Sequence, residues 1–449
     1  MHAHADKASS SRLVSRVAAA GLLALSLAGP ARAQQPSSPS STSASTPSST
    51  SASTTTASGA AASSARPSLF AEPAILSKGI ARIERFDVGG SAEGKDGFYP
   101  ELGYMITGSG WISAGGGYRH RLFDDRAVVD TSAAISWRAY KVAQARFELP
   151  SLANDRLTVG TKVLWQDFTQ VRYFGGGTDS VESGVSDYRI KSTDLIGYAG
   201  WRLRPNLEVS GAVGRLGSPT VSASAGTFER NEPETIIVYA SDPAAALVEQ
   251  PAFLHADAAL TFDSRDHKNY PMAGSVLRAG VSSYRDRTYD TYSFNRFEFE
   301  AAHFIPVVQE RGVVALHWWP VLSDTGADQH VPFYLLPSLG GHNTLRGYAD
   351  YRFHDRHFMV LNAESRWALF PHLDGAVFFD AGNVAAKIGD LDFGRTSAGF
   401  GVRLHTDRST LARLDVAHSD EGWRVILKLT DPLHLGRLSR RTAAIPFVP

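Results

Sequence analysis

Residues 340–348 read Gly-Gly-His-Asn-Thr-Leu-Arg-Gly-Tyr, so Arg346 is surrounded by residues that are typical of a tight loop. Two acids, Glu364 and Asp380, follow on segments that alternate in polarity. Because the side chains of a strand point alternately to its two faces, each acid shares a face with the residue two positions before it. An arginine on a glycine-rich loop, with two carboxylates on neighbouring strands, predicts a loop that folds back and is held by charge-assisted hydrogen bonds.

The region around this motif, 97–431, alternates between apolar and polar residues with a period of two and is interrupted by Gly, Pro, Asn and Asp. In its last segment Trp423, Val425 and Leu427 alternate with polar neighbours. About sixteen segments follow this pattern, and strands of ~9–11 residues with one apolar face can cross a bilayer. The sequence therefore predicts an all-β fold, a transmembrane antiparallel β-barrel of about sixteen strands, with long loops near 170–186, 218–251 and 322–354.

The loop and its two acids resemble the signature of the BamA/TamA-like bacterial surface antigen family, within the outer-membrane assembly-factor superfamily. Two further segments are similar to that family: 260–274, which contains Asp263-Ser264-Arg265-Asp266, and the glycine-rich 173–179. The resemblance covers roughly residues 97–430. It implies a sixteen-stranded barrel in the Gram-negative outer membrane, reached by export through the periplasm.

The resemblance also assigns roles within a loop-lock motif. Arg346 matches the arginine at the loop tip, and Gly347 and Tyr348 match its neighbours. Glu364 and Asp380 match the inward acids, and Phe378 matches the aromatic residue against which the tip packs. The alternative interpretation is that Arg346 lies in a solvated loop and pairs with no residue.

The N-terminal region predicts three further segments. Residues 1–33 have the basic start, short apolar stretch and Ala-Arg-Ala site of a signal peptide. Residues 34–71 are rich in Ser, Thr, Ala and Pro and are expected to form a disordered linker. Residues 72–96 predict a short amphipathic helix and connector, either a plug for the lumen or a surface segment, and 432–449 form a C-terminal tail. We expect the chain to lack the periplasmic POTRA domains that assembly factors usually carry.

The sequence contains no signature of catalysis, and we expect no enzyme activity, cofactor or metal site. Neither a Gly-x-Ser-x-Gly nucleophile motif nor a His-Glu-x-x-His metal motif occurs. His354 and His357 would lie on opposite faces of a strand. Lys+Arg and Asp+Glu are equal at 45 each, so charge gives no indication of a nucleic-acid partner.

Three functions remain open: an assembly or translocation barrel for proteins or lipids, a passive or gated pore, and a structural barrel. The first would admit substrate strands at a seam between the first and last strands. Pro100 and Gly103 would weaken pairing on one side of this seam, and Trp423 and Leu427 belong to the other side. The expected partners are outer-membrane lipids and, for the first function, unfolded outer-membrane or secreted proteins and a separate periplasmic partner.

Overall fold

The computed structural model describes residues 68–84, 96–102, 105–106, 112–225, 232–241, 249–307, 311–406, 409–429 and 433. The predicted signal peptide, nearly all of the predicted linker, and Gly103 therefore lie outside the described residues. The strands are β1 (Gly97–Leu102), β2 (Ser113–Leu122), β3 (Ala127–Ser136), β4 (Lys141–Leu152), β5 (Leu157–Tyr173), β6 (Ser186–Arg204), β7 (Leu207–Ser222), β8 (Phe253–Asp263), β9 (Gly274–Asp286), β10 (Phe294–Val307), β11 (Gly312–Thr325), β12 (Ser338–Leu339), β13 (Phe353–His354), β14 (His357–Phe370), β15 (Leu373–Ala385), β16 (Arg395–His405), β17 (Thr410–Ser419) and β18 (Gly422–Lys428).

Sixteen of these strands form one antiparallel sheet in chain order, with β11 pairing directly with β14. The prediction of sixteen antiparallel strands is confirmed. The two remaining strands, β12 and β13, pair only with each other inside the connection between β11 and β14. The sequence predicts only a loop at this hairpin, because strands of two residues are too short to show alternation.

The faces of the sheet are inverted relative to those of a water-soluble protein. In β18 the side chains of Trp423, Val425 and Leu427 are 68%, 72% and 44% exposed, whereas Lys428 is buried. In β14 the residues Asn362, Glu364 and Arg366 are all buried. An apolar outer face and a polar inner face are what a barrel in a lipid bilayer requires.

Strands β5, β6 and β7 are longer than the sequence predicted, because their pairing continues into segments assigned to loops. The ladder of β5 and β6 shifts register between Phe168 and Val171 and then continues to the pair Tyr173–Ser186. An irregularity of this kind breaks the period of two, so the sequence predicted a loop near 170–186 where β5 runs on to Tyr173 and β6 begins at Ser186.

The two ends of the sheet differ in the length of their connections. Links of two residues join β6 to β7 and β14 to β15, whereas residues 174–185, 223–252 and 326–356 make long loops at the opposite end. In bacterial outer-membrane barrels short turns face the periplasm and long loops face outward. We use "periplasmic end" for the end with the short links.

Among the described residues before the sheet, Ala74–Glu84 form a helix, α1. The chain before it lies against the periplasmic end of β14, where the amides of Leu69 and Phe70 donate to the carbonyls of Ala368 and Leu369 at 3.1 and 2.9 Å. In α1 itself Ile80 is buried and Ile75 is 85% exposed. No helix among the described residues is long and apolar enough to cross a membrane.

Candidate functional site

The loop of residues 326–356 folds inward, and nearly all of its central part is buried. At the start of the tip Gly341 has a φ of +97°, and a Cβ there would lie 2.1 Å from Oδ1 of Asp350. Only glycine fits this reversal, because side-chain-bearing residues avoid positive φ and the space is already filled. The reversal directs residues 342–348 toward the strand wall.

Arg346, at the loop tip, is only 1% exposed and is bound by two carboxylates. Its Nε and Nη2 donate to the two oxygens of Asp380 at 2.9 and 2.7 Å, and its Nη1 donates to Oε2 of Glu364 at 2.5 Å. Its backbone amide also donates to Asp380, at 3.1 Å. The guanidinium lies 3.5 Å from the ring centroid of Phe378. The structure thus brings Arg346, Glu364, Phe378 and Asp380 together, in contrast to the alternative of a solvated arginine.

The carboxylate of Asp380 is fully buried and saturated with donors. Besides Arg346, it accepts from Nδ2 of Asn362 at 2.8 Å and from Oγ of Ser397 at 3.2 Å. A buried charge needs this number of partners, because an ion removed from water without compensation is strongly destabilising. The neighbouring strands therefore hold the Asp380 carboxylate in place as a negatively charged site for the arginine of the loop.

The residues next to Arg346 fit closely against the wall. A Cβ at Gly347 would lie 2.6 Å from Cβ of Ser397 and 2.7 Å from Cβ of Ser419, and the Gly347 carbonyl accepts from Oγ of Ser419 at 2.9 Å. Tyr348 is buried and stacks edge-on against Phe353, with ring centroids 5.2 Å apart. Gly347 permits the close approach, and Tyr348 anchors the tip in an apolar cluster.

The charge network extends beyond the residues that the sequence indicated. Glu364 also accepts from Nη2 of Arg403 at 2.9 Å, and Arg403 in turn bonds to Asp415. Arg413 donates to the other oxygen of Asp415 at 2.8 Å and returns to the loop through the carbonyl of His342 at 2.7 Å. The alternation in β16 and β17 assigns three of these residues to the inward face: Arg403, Arg413 and Asp415. Nothing in the sequence shows which acid each arginine contacts.

A second contact holds the base of the folded loop. Arg352 donates to Glu421 at 2.6 Å and to Oγ and the carbonyl of Ser180 at 2.8 and 2.7 Å. The amide of Gly177 donates to the carbonyl of His354 at 2.7 Å. The glycine-rich segment 173–179, noted for its family resemblance, therefore docks onto the folded loop.

The predicted seam residues lie on the two terminal strands of the sheet. Pro100 is exposed and lies inside β1, opposite Gly116 of β2. Trp423 and Leu427 lie on the outer face of β18. Among the described residues of β1 and β18, no ladder pairs the two strands.

Contrary to the prediction from the sequence, His354 and His357 do not lie on one strand: His354 ends β13 and His357 begins β14, and both are buried. Burial lowers the pKa of His354 to about 3, so this loop residue is neutral at physiological pH. Within the described ranges no three His, Asp or Glu side chains are grouped so that they could hold a metal ion.

Comparison with known proteins places this arrangement among outer-membrane barrels. The family model for the Omp85 superfamily domain matches residues 129–419. The structure resembles BamA from Haemophilus ducreyi lacking POTRA domains 1–3, with a TM-score of 0.55 and 15% identity over 79% of this chain and 78% of that one. It also resembles CdiB from Escherichia coli, with a TM-score of 0.50 and 11% identity over 75% of this chain and 63% of that one. No curated protein matches the sequence.

Proposed function

This chain belongs to the Omp85 superfamily, and from that premise we propose that its barrel aids the insertion or translocation of proteins or lipids at the outer membrane. The observation that carries the proposal is that no ladder joins the described residues of β1 and β18, the first and last strands of the sheet. The described parts of these strands are six and seven residues long, whereas β5, β6 and β7 have 17, 19 and 16 residues.

Backbone N–H and C=O groups at an open strand edge are costly in hydrocarbon, because no water is present to bond them. An edge of this kind favours the addition of another strand. Pro100 supports the assignment of β1 as an edge, since a proline inside a strand cannot donate to a second neighbour. A substrate strand that paired with β1 or β18 would satisfy these groups during its insertion.

The folded loop supports the same function by keeping the lumen occupied while the seam is available. The bidentate contact of Arg346 with Asp380, reinforced by Glu364, fixes the tip against β14 and β15. We infer that this part of the wall is held in one arrangement by the loop-lock motif, which comprises Arg346, Gly347, Tyr348, Glu364, Phe378 and Asp380. Outer-membrane lipids, an unfolded protein substrate and a separate periplasmic partner are the proposed partners.

The test is an insertion assay with the purified chain in liposomes. A small urea-denatured outer-membrane barrel is added, and its folded fraction is followed by the mobility of unboiled samples on gels. We expect faster folding than with empty liposomes, and a slower rate with Arg346→Ala. Arg287→Ala, at an exposed position, is the matched control and should behave as the unmodified chain does.

The folding state of each variant is read from its own mobility before and after boiling, so that loss of activity is separated from loss of the barrel. Liposomes that conduct ions without accelerating insertion would instead support the pore. A chain that does neither would support a structural barrel. In cells, the assembly function further predicts that Arg346→Ala lowers the level of another outer-membrane protein.

A further inference from the structure

The connection between β8 and β9, residues 264–273, is the longest fully described link at the periplasmic end, and it is rigidly built. Arg265 donates from Nε and Nη2 to the oxygens of Asp263 at 2.9 and 2.8 Å and from Nη1 to the carbonyl of Lys268 at 2.9 Å. Asp266 accepts from the amide of Met272 at 3.0 Å. These bonds hold the turn in one conformation, in which Tyr270 lies away from β8 and β9.

Tyr270 and its neighbour contact the inner face of distant strands. The Tyr270 hydroxyl donates to Asp374 of β15, and its ring stacks on His405 of β16, with centroids 4.1 Å apart and planes 15° apart. Nη2 of Arg366, on β14, donates to the carbonyl of Pro271 at 2.8 Å. The ring of Tyr270 is 3% exposed, and Asp374, His405 and Arg366 are all buried.

The order of the sheet shows that the turn crosses the lumen and does not follow the wall. Strands β10 and β11 separate β9 from β14, and β15 and β16 follow. Asp374 and Arg366 have the same parity as the inward residues Asp380 and Glu364 of their strands. A turn that bypasses two strands and meets inward side chains on the next three must pass through the interior of the barrel.

A second segment reaches the same region from the other direction. Leu433 follows β18, yet it is buried against Val276 of β9, Ala302 and Phe304 of β10, and Val313 of β11. Met272 of the turn packs on the same cluster. The turn and Leu433 therefore pack on one apolar cluster of β9, β10 and β11.

We propose that residues 264–273 form a strap that closes the periplasmic mouth of the barrel, with Tyr270 as its latch on Asp374 and His405. A polypeptide or solute that enters the lumen from the periplasm between β9 and β16 has to displace this strap. The strap concerns access to the lumen and not the cargo, so the proposal does not depend on the insertion function, and its test requires no substrate.

The test uses the absence of cysteine from the sequence. Ala376 lies two residues from Asp374 on the inner face of β15 and is buried, so Ala376→Cys places a reporter thiol just above the latch. A membrane-impermeant thiol reagent is applied from the periplasmic side, and the labelling rate is measured with and without Tyr270→Ala. Asp155→Cys, in an exposed link at the same end, is the control thiol.

We expect Tyr270→Ala to raise the labelling rate of the reporter by about tenfold or more, because access follows the free energy of local opening. The control thiol at position 155 should react at the same rate with and without Tyr270→Ala. Equal reporter rates with and without the latch would overturn the strap.

A second measurement does not depend on the folding of the Tyr270 variant. Asn269 forms a β-bridge with Ser409 in the turn between β16 and β17. Because bridged residues lie within the ~4.4–6.8 Å Cα separation that a disulfide tolerates, Asn269→Cys with Ser409→Cys should cross-link on mild oxidation. The cross-link should change gel mobility reversibly with reductant, and either single cysteine alone should not do so. Failure of the pair to cross-link would show that the turn does not cross the lumen.

Discussion

Removing the arginine at the loop tip is the sharpest test of the loop-lock motif. Arg346 and Asp380 are 1% and 0% exposed, so Arg346→Ala leaves a buried carboxylate whose remaining donors are all neutral: Asn362, Ser397 and the backbone amide at position 346. Breaking a buried pair on one side costs about 3–5 kcal/mol, whereas a solvated pair is worth about 0–1 kcal/mol. The observed burial favours the larger value, and the stacking on Phe378 adds to it.

The assay is equilibrium unfolding of the barrel in detergent, together with the temperature at which unboiled samples lose their compact mobility. Asp380→Ala should destabilise the barrel by a similar amount, because the buried Arg346 then keeps only one of its two acidic partners, Glu364. The double variant should lose little more than either single variant, since the interaction can be lost only once. In both single variants the long loop should become accessible to protease.

Strictly additive losses would mean that the two residues do not interact, and the loop-lock motif would then be wrong. Arg287→Ala is the control, because exposed substitutions generally change stability by no more than about 0.5 kcal/mol. A loss of that small size for Arg346→Ala would also contradict the reasoning, since it would indicate a hydrated pair.

Two further predictions follow from the structure. Gly347→Ala should destabilise the barrel by about 1–3 kcal/mol, because the added methyl group overlaps the wall. Gly389→Ala is the control and should not destabilise it, because a Cβ there meets nothing within 4 Å. Thermal unfolding of the two variants measures the difference. Deleting residues 34–66 should leave folding intact, whereas also removing 72–86 should raise single-channel conductance if α1 plugs the lumen; unchanged conductance would place the helix outside it.

The sequence was sufficient to predict a barrel of about sixteen strands, because each strand has one face in lipid and one face in a polar interior, and the family resemblance supplied the number sixteen. That requirement gives a period of two that persists along the chain. It was least informative where a strand departs from regular geometry, as at the register shift between Phe168 and Val171. It also could not reveal the hairpin of β12 and β13, whose pairing depends on the whole loop folding inward.

The same contrast applies to the candidate site. Arg346, Glu364 and Asp380 could be selected because their spacing matches a family motif. Arg403 and Arg413 could be assigned only to a face, since their partners are set by the stagger between strands and not by local sequence. Tyr270 gave no signal of its contact with Asp374, because the two residues are 104 positions apart and meet only across the lumen.

The charge balance of the network suggests why the loop would occupy a single position. Three arginines, Arg346, Arg403 and Arg413, contact three carboxylates, those of Glu364, Asp380 and Asp415. Only Arg346 belongs to the loop, so withdrawal of the tip would leave the wall with three acids and two arginines. Buried ion pairs add little net stability compared with apolar packing, but an unmatched buried charge is strongly unfavourable. A partly withdrawn loop is therefore disfavoured, and we expect the loop to be either fully seated or released together with hydration of the wall. Because β17, which carries Arg413 and Asp415, pairs directly with β18, such a release would reach the seam through a single strand.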